Sequence, residues 1–277
     1  MFKNYLKIAW RNFLRSKSFS LINTFGLTIS LSAFLIISLF IYDEWSYDRY
    51  HDDADKIFRV TRTFEKEDFK SSTLSTANIL APTIKNEVPG VKSVLRINRA
   101  FGDDTIVEYE NKKFIEPRFF IADANIFDFF SYKVIQGNEN QMLSRPFTVV
   151  ITESTSKKYF GDENPLGKLL KIDAWGINNY EVTGVITDVA SNTHFQFDLL
   201  TSTSTYREVV PNAQKRFESW WYVGAYTYLK LDNHTAPDMI KTNLKKIIEN
   251  NHGERAQFLS MNLQPLHKIH LYSDFDR

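Results

Sequence analysis

Residues 21–42, with the sequence LINTFGLTISLSAFLIISLFIY, determine the architecture of this 277-residue chain more than any other stretch. No charged residue occurs from Ser18 to Tyr42. Taken as a helix, residues 21–42 are about 33 Å long, enough to cross a hydrocarbon layer of about 30 Å. The composition therefore predicts a transmembrane helix over residues 21–42.

The two flanks of this apolar stretch differ in charge. The charged residues of the N-terminal flank are all basic: Lys3, Lys7, Arg11, Arg15 and Lys17. The C-terminal flank is rich in acids: Asp43, Glu44, Asp48, Asp52, Asp53 and Asp55. Because Lys and Arg are retained on the cytoplasmic side, we expect residues 1–20 to be cytoplasmic and residues 43–277 to be extracytoplasmic.

Two other interpretations of the apolar stretch are a cleaved signal peptide and a buried core helix. A signal peptide has a shorter apolar region, of about 7–15 residues, followed by a small-x-small cleavage site. Here the stretch is longer and continues into Asp43-Glu44-Trp45. A core helix would not require the charge asymmetry, so both alternatives are less favoured than an uncleaved anchor.

The segment before the anchor, residues 1–20, has the pattern of an amphipathic basic helix. Its apolar residues recur at spacings of three and four, with basic residues between them: Phe2, Tyr5, Leu6, Ala9, Trp10, Phe13 and Leu14. Such a helix suits the surface of an anionic cytoplasmic leaflet, and it equally suits docking to a cytoplasmic partner. Within the anchor, Asn23, Gly26 and Ser30 are among the small or polar residues that permit close contact with other membrane helices, although single membrane helices also tolerate them.

Composition narrows the function classes. The chain has 34 basic and 33 acidic residues and a formal net charge of +1, so no large positive field exists to attract nucleic acid. It has no cysteine, which excludes thiol catalysis, Cys-based zinc sites and disulfides. An extracytoplasmic domain of this kind is stabilised through its core alone, and the length after the anchor suffices for one.

Two strand–helix–strand units flank the extracytoplasmic part and predict an α+β fold. The first consists of a strand over 57–64, a helix over 75–88 that Pro82 kinks or begins, and a strand over 91–97. The second consists of a strand over 225–231, a helix over 236–250 and a strand over 258–266. One face of the second helix is apolar and consists of Ile240, Leu244, Ile247 and Ile248. Thr235 and Asp238 together predict the N-cap of this helix, and Gly253 predicts its end. Together the units predict a ferredoxin-like, porter-like body with halves at about 43–100 and 215–277.

Between the halves, residues 101–214 predict an inserted, strand-rich subdomain. Two hairpins are expected, one with strands over 105–109 and 113–121 and one with strands over 169–173 and 180–189. A strand over 147–151 and a short helix over 153–160 lie between them in sequence.

Several strings along the chain, taken in order, resemble those of one protein family. They are residues 2–5 (FKNY), 10–12 (WRN), 23–26 (NTFG), 43–50 (DEWSYDRY), 55–59 (DKIFR), 119–123 (FFIAD), 159–168 (YFGDENPLGK), 182–185 (VTGV) and 265–271 (PLHKIHL). The ordered set, which spans essentially the whole chain, resembles the front of bacterial ABC-transporter permeases of the MacB/FtsX type.

The resemblance implies a first transmembrane helix followed by a MacB-like periplasmic core domain, with a porter-like part and an inserted part. It implies location in the bacterial cytoplasmic (inner) membrane, a cytoplasmic ABC ATPase subunit as partner, dimerisation with permease chains and contact with a periplasmic or cell-surface partner. Members of the family continue into three further transmembrane helices, whereas this sequence ends at Arg277, so we expect only the front portion of such a permease here.

We expect no catalytic, cofactor-binding or metal-binding residues, and no enzymatic activity. Gly161, Gly167 and Lys168 do not match a phosphate-binding loop, because five residues separate the glycines and Leu169 replaces the required Ser or Thr. His267 and His270 lack the spacing and the Glu of a helical zinc site. The acidic residues 43–55 contain no glycine turn for a calcium loop and are expected to form a solvated face.

Three hypotheses for function remain. The first is a non-catalytic permease component, whose extracytoplasmic domain couples ATP-driven changes in a partner subunit to export or mechanotransmission. The second is a single-pass sensor or ligand-binding ectodomain, and the third, a membrane-anchored enzyme, is disfavoured by the lack of catalytic motifs.

Overall fold

The computed structural model describes residues 2–15, 17–99 and 105–273. The predicted start of the insert at residue 101 and the last residue, Arg277, lie outside these ranges. The described chain forms two compact units, which divide between Ser46 and Tyr47.

The first unit is helical. It consists of α1 (Phe2–Arg15) and α2 (Lys17–Ser46). No described residue of α2 is buried, and α2 is the one helix in the described ranges that is long and apolar enough to cross a membrane. The predicted span over 21–42 is thus confirmed as helix, and the helix extends four residues further at each end. Side-chain hydroxyls of Thr24 and Thr28 donate to carbonyls one turn earlier, so the helix itself satisfies them.

The second unit, called the large domain below, mixes helices with one extended sheet. Its helices are α3 (Leu80–Glu87), α4 (Ile126–Phe129), α5 (Glu153–Phe160), α6 (Thr203–Val209), α7 (Ala213–Glu218) and α8 (Pro237–His252). Its strands are β1 (Ile57–Lys66), β2 (Phe69–Thr73), β3 (Thr76–Ala77), β4 (Val91–Arg99), β5 (Ile106–Tyr109), β6 (Lys112–Ile115), β7 (Phe119–Ala122), β8 (Val134–Gly137), β9 (Thr148–Thr152), β10 (Leu169–Asp173), β11 (Ile177–Ile186), β12 (Leu199–Ser202), β13 (Val223–Leu231) and β14 (Leu259–Pro265). Short 3₁₀ turns lie at Ala54–Lys56, Gly253–Phe258 and Leu266–Lys268. The predicted α+β class is confirmed.

The two strand–helix–strand units interleave in the sheet. Strands follow the order β14-β1-β13-β4 and every neighbouring pair is antiparallel, which is the ferredoxin-like arrangement that the sequence predicts. The sheet then continues through β7, β12, β9, β11, β10, β5 and β6. Because β1 lies between β13 and β14, the start of the domain is held by strands that come more than 150 residues later.

Apolar cores cover both faces of the four-stranded part. On one face α3 and α8 pack through Leu80, Ile84 and Leu244 against β1, β13 and β14. On the other face Ile57 and Tyr228 belong to a second core that includes the aromatic residues after β7. Because both faces are covered, the first five residues of β1 and the last five of β13 are all buried, with no alternation between buried and exposed positions. The predicted inward face of α8, Ile240, Leu244, Ile247 and Ile248, is buried.

Three local predictions are wrong. Residues 75–79 are not helical: Thr76 and Ala77 pair with β13, and α3 begins at Leu80, so Pro82 lies in the first turn where a missing N–H costs nothing. Thr235 does not cap α8, because its hydroxyl donates to Asp232 Oδ1 at 2.6 Å and the cap residue is Ala236.

The third concerns residues 113–121, which form two strands rather than one. β6 ends at Ile115 just before Pro117, which cannot donate to a strand ladder, and β7 pairs instead with β4 and β12. The hairpin of β10 and β11 is confirmed, with a shorter loop than predicted.

Candidate functional site at the base of the large domain

The segment that directly follows α2 in sequence, Tyr47 to Lys56, makes two sharp changes of direction before β1 begins. Asp48 and Asp53 have φ values of 59° and 58°, in the left-handed region that Asp tolerates better than most residues. The end of the domain that contains this segment and the residues after β14 is called the base below.

Asp48 is fully buried, and its carboxylate is surrounded by donors. The Thr193 hydroxyl donates to Oδ1, the backbone N–H of His194 lies 3.2 Å from the same oxygen, and the ring Nδ1 of His194 lies 2.9 Å from it. The backbone N–H of Asp48 also donates to the Asn192 carbonyl at 3.0 Å. The segment after α2 is therefore attached to the loop between β11 and β12 by both its backbone and its side chain.

The charge of Asp48 is stabilised in place. Burial by itself would raise the pKa of this carboxyl, but contact with His194 and hydrogen bonds from Thr193 and the His194 backbone lower the pKa overall. The carboxylate is thus ionised near neutral pH despite its burial.

His194 extends the connection into the sheet. Its Nε2 lies 2.8 Å from the hydroxyl of Tyr228, in the middle of β13. Burial raises the pKa of Tyr228 to about 12, so the phenol stays protonated. Asp48, His194 and Tyr228 therefore form a continuous polar chain from the segment after α2 to a central strand.

His51 makes a second buried attachment at the base. Its ring is 4% exposed and packs against Phe130 and Tyr132, and its Nδ1 accepts the backbone N–H of Ser131 at 3.2 Å. Burial lowers the pKa of His51 to about 4, so the imidazole is neutral near pH 7.

The residues after β14 return to the same end of the domain. The His270 ring stacks on Tyr47 with ring centroids 3.4 Å apart, and His267 Nδ1 lies 3.7 Å from Asp55 Oδ1. Leu266 and Ile269 are buried in the core that contains Ile57. The base therefore joins the first and last described segments of the large domain.

The hydrogen bonds and ring contacts of the base hold segments of the large domain together. A carboxylate, an imidazole and a hydroxyl in a row resemble a hydrolase triad, but the hydroxyl is a buried phenol with a raised pKa, which makes it a poor nucleophile. A buried charge with this many donors is well stabilised, whereas loss of one partner leaves unpaired polar groups in the core. The base is thus a polar attachment between segments of the large domain.

The residues compared above with a phosphate-binding loop form a turn between α5 and β10. Gly161 and Gly167 have φ values of 62° and 78°, which glycine adopts without steric cost. Their N–H groups donate to the Lys157 and Val182 carbonyls, and Lys168 pairs with Glu163. The two glycine N–H groups and the Lys168 side chain are therefore paired with other residues of the fold.

The remaining candidates lie at different places. His267 and His270 contact separate partners, as described above, and Thr235 lies in the turn after β13 with its hydroxyl on Asp232. Among residues 2–15, 17–99 and 105–273, no group of three or more His, Asp or Glu side chains is placed to hold a metal ion.

The expectation that residues 43–55 form a solvated acidic face is wrong for Asp48. The carboxylate of Asp48 is buried in contact with His194 and Thr193.

Sequence reasoning did not identify His194, although it lies next to a polar run, Ser191-Asn192-Thr193, that precedes buried Phe195 and Phe197. A histidine between a polar turn and buried aromatics is a weak signal of a partly buried imidazole. No spacing rule connects it with Asp48, because the two residues meet only through the sheet.

Comparisons with known proteins give a consistent result. The family model of the MacB-like periplasmic core domain matches residues 20–247. A domain of a protein assigned as a permease from Porphyromonas gingivalis superposes with a TM-score of 0.64 at 22% identity, covering 82% of this chain and 95% of that one. The periplasmic region of MacB from Actinobacillus actinomycetemcomitans superposes with a TM-score of 0.52 at 18% identity, covering 76% and 90%. No curated protein matches.

At these identities the superpositions show the fold, and the family model, which covers most of the chain, shows the family. The chain belongs to the MacB-like periplasmic core domain family of ABC-transporter permeases.

Proposed function

We propose that this chain is the non-catalytic N-terminal portion of an ABC-transporter permease, and that its large domain couples ATP-driven changes in a cytoplasmic partner subunit to export or mechanotransmission. The observation that carries the proposal is the position of Asp48, two residues after the end of α2 and buried against His194. A displacement of the end of α2 passes through the covalent chain to a residue that is fixed in the core of the domain.

The proposal includes the orientation of the chain. α2 would cross the cytoplasmic (inner) membrane with α1 on the cytoplasmic side and residues 43–277 outside, as the excess of Lys and Arg before α2 indicates. Because the chain has no cysteine, single cysteines can be introduced without background. Ser18→Cys should be protected from an impermeant thiol reagent in intact cells, and Lys70→Cys, on an exposed side chain, should be labelled. The reverse pattern would contradict the orientation.

The organisation of the large domain is part of the same proposal. Its porter-like halves would be residues 43–100 and 215–277, and residues 101–214 would be an insert. The order β14-β1-β13-β4 supports this division, because these four strands come only from the two halves.

The expected partners are a cytoplasmic ABC ATPase, a second permease chain and an extracytoplasmic protein. α1 suits contact with the first of these, since its described side chains are all exposed and it carries four basic residues. Affinity purification of the protein from its native host in mild detergent should recover a protein that hydrolyses ATP.

A matched variant sharpens this experiment. Lys7→Glu with Arg11→Glu reverses charge on α1 and should lower recovery of the ATPase several-fold, whereas Lys245→Glu on the exposed side of α8 should leave recovery unchanged. If no ATPase is recovered with the unaltered chain, a single-pass sensor or ligand-binding ectodomain becomes the better interpretation.

A further inference from the structure

The two outer strands of the sheet differ in how they are protected against pairing with another strand. In the described part of the chain, β6 ends the sheet on one side and β14 ends it on the other, where β14 pairs with β1 alone. β6 is four residues long and includes Lys112 and Lys113. β14 is seven residues long, and residues 256–266 contain no charged residue. Because short length and lysines protect a sheet edge, β14 is the less protected of the two.

The outer side of β14 presents backbone hydrogen-bonding groups. β14 pairs with β1 in unbroken antiparallel register from Leu259 to Pro265. In such a ladder every second residue directs its N–H and its carbonyl away from the partner strand. Pro265, the one residue of β14 that lacks an N–H, is the last residue of the strand. The outer side of β14 is therefore suited to pairing with a further strand.

A groove of about 600 Å³ lies between this edge and α8, and it is called the α8–β14 groove below. Its apolar lining includes Ile248, Ala256 and Met261. Lys241 and Lys245, which are one turn apart on α8, lie at the same groove. A groove between an edge strand and a helix is a geometry in which extended peptides bind by strand addition.

The register determines which side chains of an added strand would enter the α8–β14 groove. Met261 and Leu263 belong to the core beneath α8, whereas Ser260 and Asn262 are exposed and lie on the other face of the sheet. Residues that lie directly opposite each other on neighbouring strands share a face. Every second side chain of a strand added to β14 would therefore point toward α8 and into the groove.

The charges at the groove favour an acidic partner segment. Its charged lining residues are Lys241, Lys245 and Glu249. The lysines lie 2.9 Å from Asp238 and 3.9 Å from Glu249, in exposed pairs that are weak enough for a new carboxylate to compete. A second copy of this chain would supply β14, which contains no acid to meet these lysines. The occupant that matches the groove is an extended segment with acidic side chains.

We propose that β14 and the α8–β14 groove bind an extended, acidic peptide segment of another protein by strand addition. The backbone of the segment pairs with the outer side of β14, an apolar side chain lies against Ile248 and Met261, and an acidic side chain pairs with Lys241 or Lys245. The proposed function includes an extracytoplasmic protein as partner, and this inference rests on it by assigning the surface that such a partner would contact.

The test uses the full chain in detergent micelles and a fluorescent peptide with the sequence GTDTVTDTG. This sequence is the same in both directions, so either strand orientation presents an acid and a valine to the groove. Fluorescence anisotropy should show saturable binding, and GTKTVTKTG should bind at least tenfold more weakly. Hydrogen–deuterium exchange of the backbone amides of residues 259–265 should slow when the acidic peptide is added, whereas exchange of residues 112–115 in β6 should not change.

Two N-methylated forms of the peptide test strand addition itself. One form carries methyl groups on the threonine nitrogens and the other on the aspartate and valine nitrogens. Since only every second residue of an added strand bonds to β14, one form should lose binding at least tenfold and the other should keep it.

Charge reversal on α8 tests the position of the segment. Lys241→Glu with Lys245→Glu should weaken binding of GTDTVTDTG several-fold and strengthen binding of GTKTVTKTG. Lys246→Glu is the matched control, because Lys246 is an exposed lysine of the same helix outside the groove lining, and it should bind both peptides as the unaltered chain does.

The outcomes are distinct. Absence of saturable binding by the acidic peptide overturns the proposal, as does equal binding of the two N-methylated forms or equal effects of the two charge reversals. A dimer of the full chain whose β14 amides are protected without peptide would assign this edge to a second copy and also overturn it. None of these measurements involves an ATPase, so a failure here is distinguishable from a failure of the proposed coupling.

Discussion

The carboxylate of Asp48 lies 2.9 Å from the ring Nδ1 of His194, a residue 146 positions later in the chain. Asp48 lies two residues after the end of α2, and His194 lies in the loop between β11 and β12. This contact fixes the first residues of the large domain to the loop between β11 and β12.

Removal of the Asp48 carboxylate should destabilise the large domain. Asp48→Ala leaves the Thr193 hydroxyl and the His194 groups without their acceptor in the core, and loss of one partner of a buried pair typically costs about 3–5 kcal/mol. The measurement is chemical unfolding of the full chain in detergent. Asp55→Ala is the control, because the Asp55 side chain is 94% exposed, and its free energy of unfolding should change by no more than about 0.5 kcal/mol. Equal effects of the two substitutions would contradict the role of Asp48.

Stability should fall between pH 7 and pH 5 because of His51. The folded-state pKa of His51 is about 4, below the ordinary histidine pKa of 6.5, so the unfolded chain binds more protons in this window and acid favours unfolding. The expected loss from this group is about 2 kcal/mol. His51→Asn keeps an acceptor near Nδ1 and removes the titration, so it should flatten the pH dependence of the unfolding free energy.

His234→Asn is the control for this experiment, because His234 is exposed. Asp48 contributes in a different range: its lowered pKa gives stability that is lost only below about pH 4, as the carboxylate is protonated. An unchanged slope between pH 7 and pH 5 in His51→Asn would show that burial of this ring does not depress its pKa.

Adjacent residues on α8 should respond very differently to the same substitution. Leu244→Asp places a charge at a fully buried position between α8 and the sheet and should cost several kcal/mol. Lys245→Asp alters a side chain that is 79% exposed and should change the free energy of unfolding by less than about 0.5 kcal/mol. Thermal melts of the two variants decide this, and similar melting temperatures would mean that α8 does not pack as described.

The interleaved strands predict which fragments can fold. A fragment of residues 47–277 keeps every strand pairing of β1 and should give a cooperative melt. A fragment of residues 47–211 lacks β13 and β14, so β1 and α3 expose their apolar face and the fragment should aggregate. Size-exclusion chromatography with circular dichroism distinguishes the two; a soluble, cooperatively folded 47–211 fragment would show that the N-terminal half is independent.

Much of the fold could be predicted from the sequence, because the signals for its helices and strands are local. The apolar stretch before Asp43, the face of α8 and the bounds of α5 and β10 follow from periodicity and from glycine stops. The ferredoxin-like order follows from the repetition of one unit at both ends.

What could not be predicted depends on contacts between distant residues. β12 is fully buried and shows no alternation, so nothing local identifies it as the strand between β7 and β9. Asp48 stands in a run of acids, where a solvated face is the ordinary expectation, and only the folded sheet brings His194 to it.

The proposed coupling is tested most directly by measuring the fluorescence of a label on the large domain while the partner subunit binds ATP. A fluorophore on Lys215→Cys, at an exposed position of α7, reports the environment of the domain in proteoliposomes that contain the ATPase recovered with the chain. If the base transmits movement, ATP with vanadate should change the fluorescence, and Asp48→Asn should reduce that change more than twofold at an unaltered rate of ATP hydrolysis, whereas Asp55→Asn should not. A fluorescence change of equal size in Asp48→Asn, or none in the unaltered chain, would contradict the coupling proposed here.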